Sequence, residues 1–163
     1  MPVAIRDANP GDAKIIVAYN TAMALETEGR QLDASLIAAG VQAVLEDEHK
    51  GRYWVAEQDG HLVGQIMITH EWSDWRNGVL WWISSVYVAE PSRRRGVFSA
   101  LYRHVEALAR QDPGCCGILL YVEHENQRAQ QTYLALGMLK PGYDVMEVDF
   151  RKEAIQEQES SNA

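Results

Sequence analysis

Asp59-Gly60 stands between two runs of strand character, Tyr53 to Glu57 and Leu62 to Thr69, and this constrains the fold more than any other short feature. Two residues that tolerate positive φ match the twist of paired strands, so the segment predicts an antiparallel hairpin. Asn77-Gly78 predicts a second such turn, leading into Val79 to Val88, which is rich in β-branched and aromatic residues. After Pro91 the period changes. Val97, Phe98, Leu101, Tyr102, Val105 and Leu108 recur at helical spacing and stop near Arg110, before Asp112-Pro113-Gly114. Ile118 to Val122 predicts a short strand buried on both faces. A helix from Asn126 to Leu136 follows, with Gly137 as its terminator, and then a last strand from Tyr143 to Phe150. Upstream, Val3 to Arg6 reads as a strand, and Asn9-Pro10 opens a helix that ends at about Leu25. Asp33 caps a second helix carrying Leu36, Ile37, Val41, Val44 and Leu45, with Glu26 to Arg30 as a polar loop between the two.

The order is therefore β-α-α-β-β-β-α-β-α-β. It predicts one α/β domain over residues 1–152, a mixed and mostly antiparallel twisted sheet flanked by helices, and a polar tail over 153–163. A length of 163 residues suits one such domain without a metal or disulfide staple. Cys115 and Cys116 are adjacent, which suits neither a disulfide framework nor a zinc site and points to a reducing compartment. His70 and His124 show no ligand spacing, so no metal is expected. The chain lacks an apolar run long enough for a bilayer and a basic-then-apolar N-terminus, so a soluble cytoplasmic protein is expected, away from membranes. A formal net charge of −8 argues against nucleic acid and favours cationic small molecules.

Within this acidic chain, Arg93, Arg94 and Arg95 sit where the 97–110 helix begins. The positive end of a helix dipole disfavours cations, so the placement breaks a local rule. A phosphate would resolve it, because free N–H groups, the dipole and the guanidinium charges all attract an anion. Gly96 would let the main chain approach closely. A solvated basic turn explains the same residues. Neither the P-loop nor the dinucleotide-fold glycine pattern is present.

The strand Val86-Tyr87-Val88, then Pro91, then Arg93-Arg94-Arg95-Gly96 opening a helix, resembles the acyl-CoA signature of the GNAT family of N-acetyltransferases, R/Q-x-x-G-x-G/A. Phe98 departs from the usual small residue. Downstream, Asn126, Ala129, Tyr133 and Gly137 resemble the family's second motif, and the element order fits from Val3 to Phe150. The resemblance implies that amides of residues 94 to 99 (Arg94, Arg95, Gly96, Val97, Phe98, Ser99) hold the pyrophosphate of acetyl-CoA. It implies that the main chain of Val86, Tyr87 and Val88 pairs with the pantetheine arm, with an N–H near Val88 as oxyanion donor. It further implies that Asn126 contacts the pantetheine and that Tyr133 is the general acid protonating the departing thiolate. Asn126, Ala129 and Tyr133 share a helix face, and the small Ala129 leaves room for a ligand. Asn126 as a helix cap and Tyr133 as a packing residue would give the same pattern.

The general base stays open among Glu26, Glu28, Asp74, Glu123 and His124, since Trp81-Trp82-Ile83-Ser84-Ser85 carries no carboxylate. Glu71-Trp72-Ser73-Asp74-Trp75-Arg76 is read as a loop in which tryptophan faces and carboxylates suit a cation. Trp72 and Asp74, with Glu26 and Glu28, are expected to form an acidic amine pocket. The alternative is that Trp72, Trp75, Trp81 and Trp82 pack the sheet's flank or a homodimer interface. The expected function is acetyl-CoA-dependent acetylation of a small cationic amine by direct attack on the thioester. Acetylation of protein N-termini or lysines, and a non-catalytic acyl-CoA sensing module, are the alternatives.

Overall fold

The computed structural model describes residues 2–151, and the chain divides into two compact units after Tyr121. In the first unit, strands β1 (Ala4–Asp7), β2 (Arg52–Gln58), β3 (His61–Ser73), β4 (Gly78–Val88) and β5 (Cys115–Leu120) form one sheet in the order β1-β2-β3-β4-β5. The first four are antiparallel, and β5 joins β4 in parallel from Val79↔Cys115 to Ile83↔Leu120. The mixed, mostly antiparallel α/β sheet is the one the sequence predicts. Asp59 and Gly60 both have positive φ, 52° and 77°, as a two-residue primed turn requires. The second hairpin differs: Asp74 to Asn77 make a four-residue link, so β3 runs on through Glu71, Trp72 and Ser73.

Helices α1 (Ala13–Glu28), α2 (Ala34–Glu46) and α3 (Val97–Gln111) belong to the same unit. Asn9 closes a capping box on the turn Pro10–Asp12 ahead of α1, and Asp33 accepts from the amides of Ser35 and Leu36 to start α2. The expected end of α1 at Leu25 is corrected. The helix continues to Glu28 and stops at Gly29, whose φ of 60° is left-handed. The apolar stripe runs out at Leu25, but only Gly29 supplies the terminating conformation. Glu26 and Glu28 are therefore helical rather than in a loop.

Each sheet face has its own core. Ile16 and Val41 of α1 and α2 pack with Tyr53 and Val55 on one face. On the other, a Cβ at Gly64 would meet Val97 and Leu101, so α3 lies close there, beside buried Trp54, Ile66 and Val105. In the second unit, α4 (Gln127–Ala135) starts at Asn126 and ends before Gly137, at φ 95°, as expected. The expected last strand is corrected: residues 143–149 carry no strand, and the sheet has five strands among the described residues. Alternation over this segment sets which side chains share a face, but a strand exists only where a neighbour accepts its hydrogen bonds. Residue 152 and the tail at 153–163 lie outside the described residues.

Candidate active site

The strand–loop–helix running from β4 into α3 gathers most of the expected binding groups. Ala89 N–H donates to the Val63 carbonyl at 2.9 Å, and Gly64 stands opposite Val88. Hydrogen-bonded and non-bonded pairs alternate along antiparallel strands, so Tyr87 and Ser85 bond β3 while Val86 and Val88 turn their main-chain groups away from it. They face the edge past Ile83↔Leu120, the last β4–β5 pair. Tyr87 thus contributes its side chain rather than its main chain.

The loop then takes an unusual path. Arg94 and Gly96 are both left-handed, at φ 62° and 81°. Positive φ at a bulky residue is an outlier of the kind that concentrates at functional sites. Gly96 is the N-cap of α3 and supplies no side-chain cap, and the first helical bond is Ala100 N–H to Gly96 carbonyl at 3.0 Å. The amides of Val97, Phe98 and Ser99 accordingly precede any intrahelical acceptor and suit an anion. Arg94 and Arg95 are exposed and make no ion pair among the described residues. Phe98 stacks on Tyr102, centroids 6.5 Å apart, which keeps its ring on the helix flank and its amide in the first turn.

Arg93 folds back. Its Nε donates to the Val88 carbonyl at 2.9 Å, one Nη meets Glu26 at 2.7 Å, and its guanidinium lies 5.4 Å from the Tyr87 ring centroid. Glu26 also accepts from the Tyr87 hydroxyl at 3.3 Å. The Glu26 carboxylate raises the Arg93 pKa, and burial raises that of Tyr87. Glu26, in the last helical turn where a carboxylate opposes the dipole, is matched by this cation.

The four residues expected to form one amine pocket are not brought together. Trp72 stands opposite Val79 at the hairpin end and Glu26 touches Tyr87, eight residues along β4, or about 26 Å at ordinary strand rise. Asp74 accepts from the Trp75 amide within its own turn, and Glu28 is exposed in the last turn of α1. Trp72 and Trp75 are 62% and 89% exposed, while Trp81 is buried on Trp54.

In the second unit, Asn126 Oδ1 accepts from the Ala129 amide at 3.1 Å, so this oxygen caps α4. Ala129 and half-buried Tyr133 are one turn apart on that helix. Gln130 donates to the carbonyls of Glu123 and His124, both at 2.8 Å, and accepts from Lys140 at 2.6 Å. Residues 123–124 are thereby anchored to α4, by a glutamine that the sequence reading passed over because glutamine at a helical position carries no special signal.

Residues 19–138 match the family model described as the Acetyltransferase (GNAT) family. The chain belongs to that family. A solved structure of a possible acetyltransferase from Clostridium difficile 630 is 42% identical, with a TM-score of 0.85 over 91% of this chain and 98% of that one. The aminoglycoside N-acetyltransferase AAC(6')-Iy in complex with CoA shares the fold, at 16% identity and a TM-score of 0.75 over 91% and 95% of the two chains. So does a ribosomal-protein-alanine N-acetyltransferase from Brucella melitensis biovar Abortus 2308, at 15% and 0.72 over 91% and 100%. No curated protein matches the chain. No helix among the described residues is long and apolar enough to cross a membrane.

The contacts of Glu26 tie it to Arg93 and Tyr87, at the loop that leads from β4 into α3. Glu26→Gln removes an ion pair whose partners are 41% and 42% exposed, so stability should change by less than about 1 kcal/mol. The acyl-CoA KM should fall, because Arg93 loses a competing anion, while the acceptor KM stays constant. Steady-state kinetics with each substrate varied in turn checks both.

Proposed function

We propose that the protein is an acetyl-CoA-dependent N-acetyltransferase acting on a small cationic amine by direct attack on the thioester. The observation that carries this reading is the continuity of two donor sets: the outward main chain of Val86 and Val88 leads, eight residues after Val88, to the uncapped, left-handed start of α3 at Gly96. An acyl-CoA needs both, an extended partner for its pantetheine amides and amides for its diphosphate. A Cβ on Gly96 would meet nothing within 4 Å, so the cradle is open there. Arg94 and Arg95 add charge, and the Val88 N–H is the oxyanion donor.

Tyr133 gives a proton to the departing thiolate, and Ala129 keeps the helix face beside it small. Asn126 keeps its donor N–H₂ group for the pantetheine while its oxygen caps α4. Support for acyl-CoA use comes from family membership and from the CoA-bound aminoglycoside acetyltransferase of the same fold. The net charge of −8 supports a cationic acceptor. Two free cysteines accord with a cytoplasmic setting.

The test is release of CoA thiol from acetyl-CoA across monoamines, polyamines, aminoglycosides and peptides. Acceptor-dependent release with the small cationic amines is expected. Binding of acetyl-CoA with no release for any acceptor would move the assignment to an acyl-CoA sensing module.

A further inference from the structure

On the sheet face that carries α1 and α2, a second set of groups lies past the covered core. Trp82 stands opposite Thr69 on β3 and beside Leu119 on β5, and two residues further along, Tyr121 lays its ring on Trp82 with centroids 4.5 Å apart. Thr69 and Ser84 bring their hydroxyl oxygens to 3.0 Å from each other, with Ser84 exposed at the irregularity where β4 shifts register against β3. Glu71 is two residues beyond Thr69 and therefore on the same face, about 7 Å along the strand. It is exposed and makes no ion pair among the described residues. Tyr121 is 66% exposed, and Trp82 is half-buried. The opposite face is closed by α3.

We infer that Trp82, Tyr121 and Glu71, with the Thr69 and Ser84 hydroxyls, form a subsite for a second ammonium group of the acceptor. This rests on the acetyltransferase reading above and names the acceptor as a di- or polycation. Aromatic faces attract a cation, an unpaired carboxylate supplies its counter-charge, and two hydroxyls accept its hydrogen bonds. Trp82 is four residues from Val86, which sets the second charge about 13 Å from the acyl-CoA edge. The acceptor is therefore a long diamine or polyamine chain, or an amino sugar of similar reach, with the reacting amine at one end. Neither Asp74 nor Glu26 contributes, since each is held elsewhere.

The test compares α,ω-diamines with alkyl monoamines of equal length, following CoA thiol release at saturating acetyl-CoA. Wild-type protein should favour the diamine by about tenfold in kcat/KM, the product of one aromatic–cation contact and one charge pair. Glu71→Gln and Tyr121→Leu, both at exposed positions, should each cut that preference at least about threefold through acceptor KM, leaving the acetyl-CoA KM unchanged. Glu71→Lys should abolish it. Equal kcat/KM for diamine and monoamine, or a preference unchanged in all three variants, overturns the subsite while leaving the transferase reading intact. If no amine is acetylated, the transferase reading falls first, and calorimetric titration of the diamine decides the subsite: affinity that drops in Glu71→Gln supports it, and unchanged affinity overturns it.

Discussion

Replacing Tyr133 with phenylalanine should lower kcat by about a hundredfold while the acetyl-CoA KM stays constant, the signature of a group that acts in the transition state. The change deletes one hydroxyl from a half-buried ring and keeps its shape, so unfolding free energy should move by no more than about 1 kcal/mol. The helix that carries the ring is closed at both ends. Asn126 caps its first turn, and the amides of Leu136 and Met138 return to the Tyr133 carbonyl, both at 3.1 Å, closing the last. Closure at both ends holds the Tyr133 main chain in place, and proton donation at a set place needs such a support. Equal turnover by the Phe variant and the wild type would assign the residue to packing, and the thiolate would then leave unassisted or through water.

Local chemistry explains which parts of this protein could be read directly from its residues. Turns and caps were legible because single residues decide them: Asp59-Gly60 adopts the positive φ pair, Asp33 accepts two amides, and Gly137 is left-handed. The loop ahead of α3 stands out for a related reason, since arginines at a helix start are locally unfavourable and an anion would relieve them. Long-range partners were not legible. Glu26 reads as a candidate base or amine-pocket carboxylate until Arg93, 67 residues away, is seen to fold back beneath Val88. Trp82 reads as a flank or interface residue and Tyr121 as part of a buried strand until the parallel β4–β5 register brings the two rings together. Residues 143–150 alternate well, yet alternation carries no information about which neighbour offers hydrogen bonds.

Gly64→Val should destabilise the protein by about 3 kcal/mol, and it should also raise the acyl-CoA KM, because this glycine sets how closely α3 approaches the sheet. A Cβ there would lie 3.0 Å from the Tyr87 carbonyl, 3.1 Å from a Val97 methyl and 3.3 Å from a Leu101 methyl. The carbonyl belongs to a ladder bond and cannot retreat, and both methyls belong to fully packed residues, 2% and 0% exposed. Two further valine methyls must therefore push α3 outward from its first turn. Val97 is the residue after Gly96, so the amides proposed to hold the diphosphate move with it. Thermal unfolding should show a fall of about 6–12 °C for a domain of this size, and kinetics well below that transition should show the KM effect separately. Gly40→Ala supplies the contrast. It lies inside α2, its new Cβ would meet nothing within 4 Å, and its backbone is right-handed. That change should stabilise the helix by about 0.5–1 kcal/mol and leave the acyl-CoA KM alone. Opposite signs from two glycines would show that contact with Val97, rather than chain entropy, governs the first; a Gly64→Val variant as stable as the wild type would mean that α3 is free to shift and does not fix the phosphate loop.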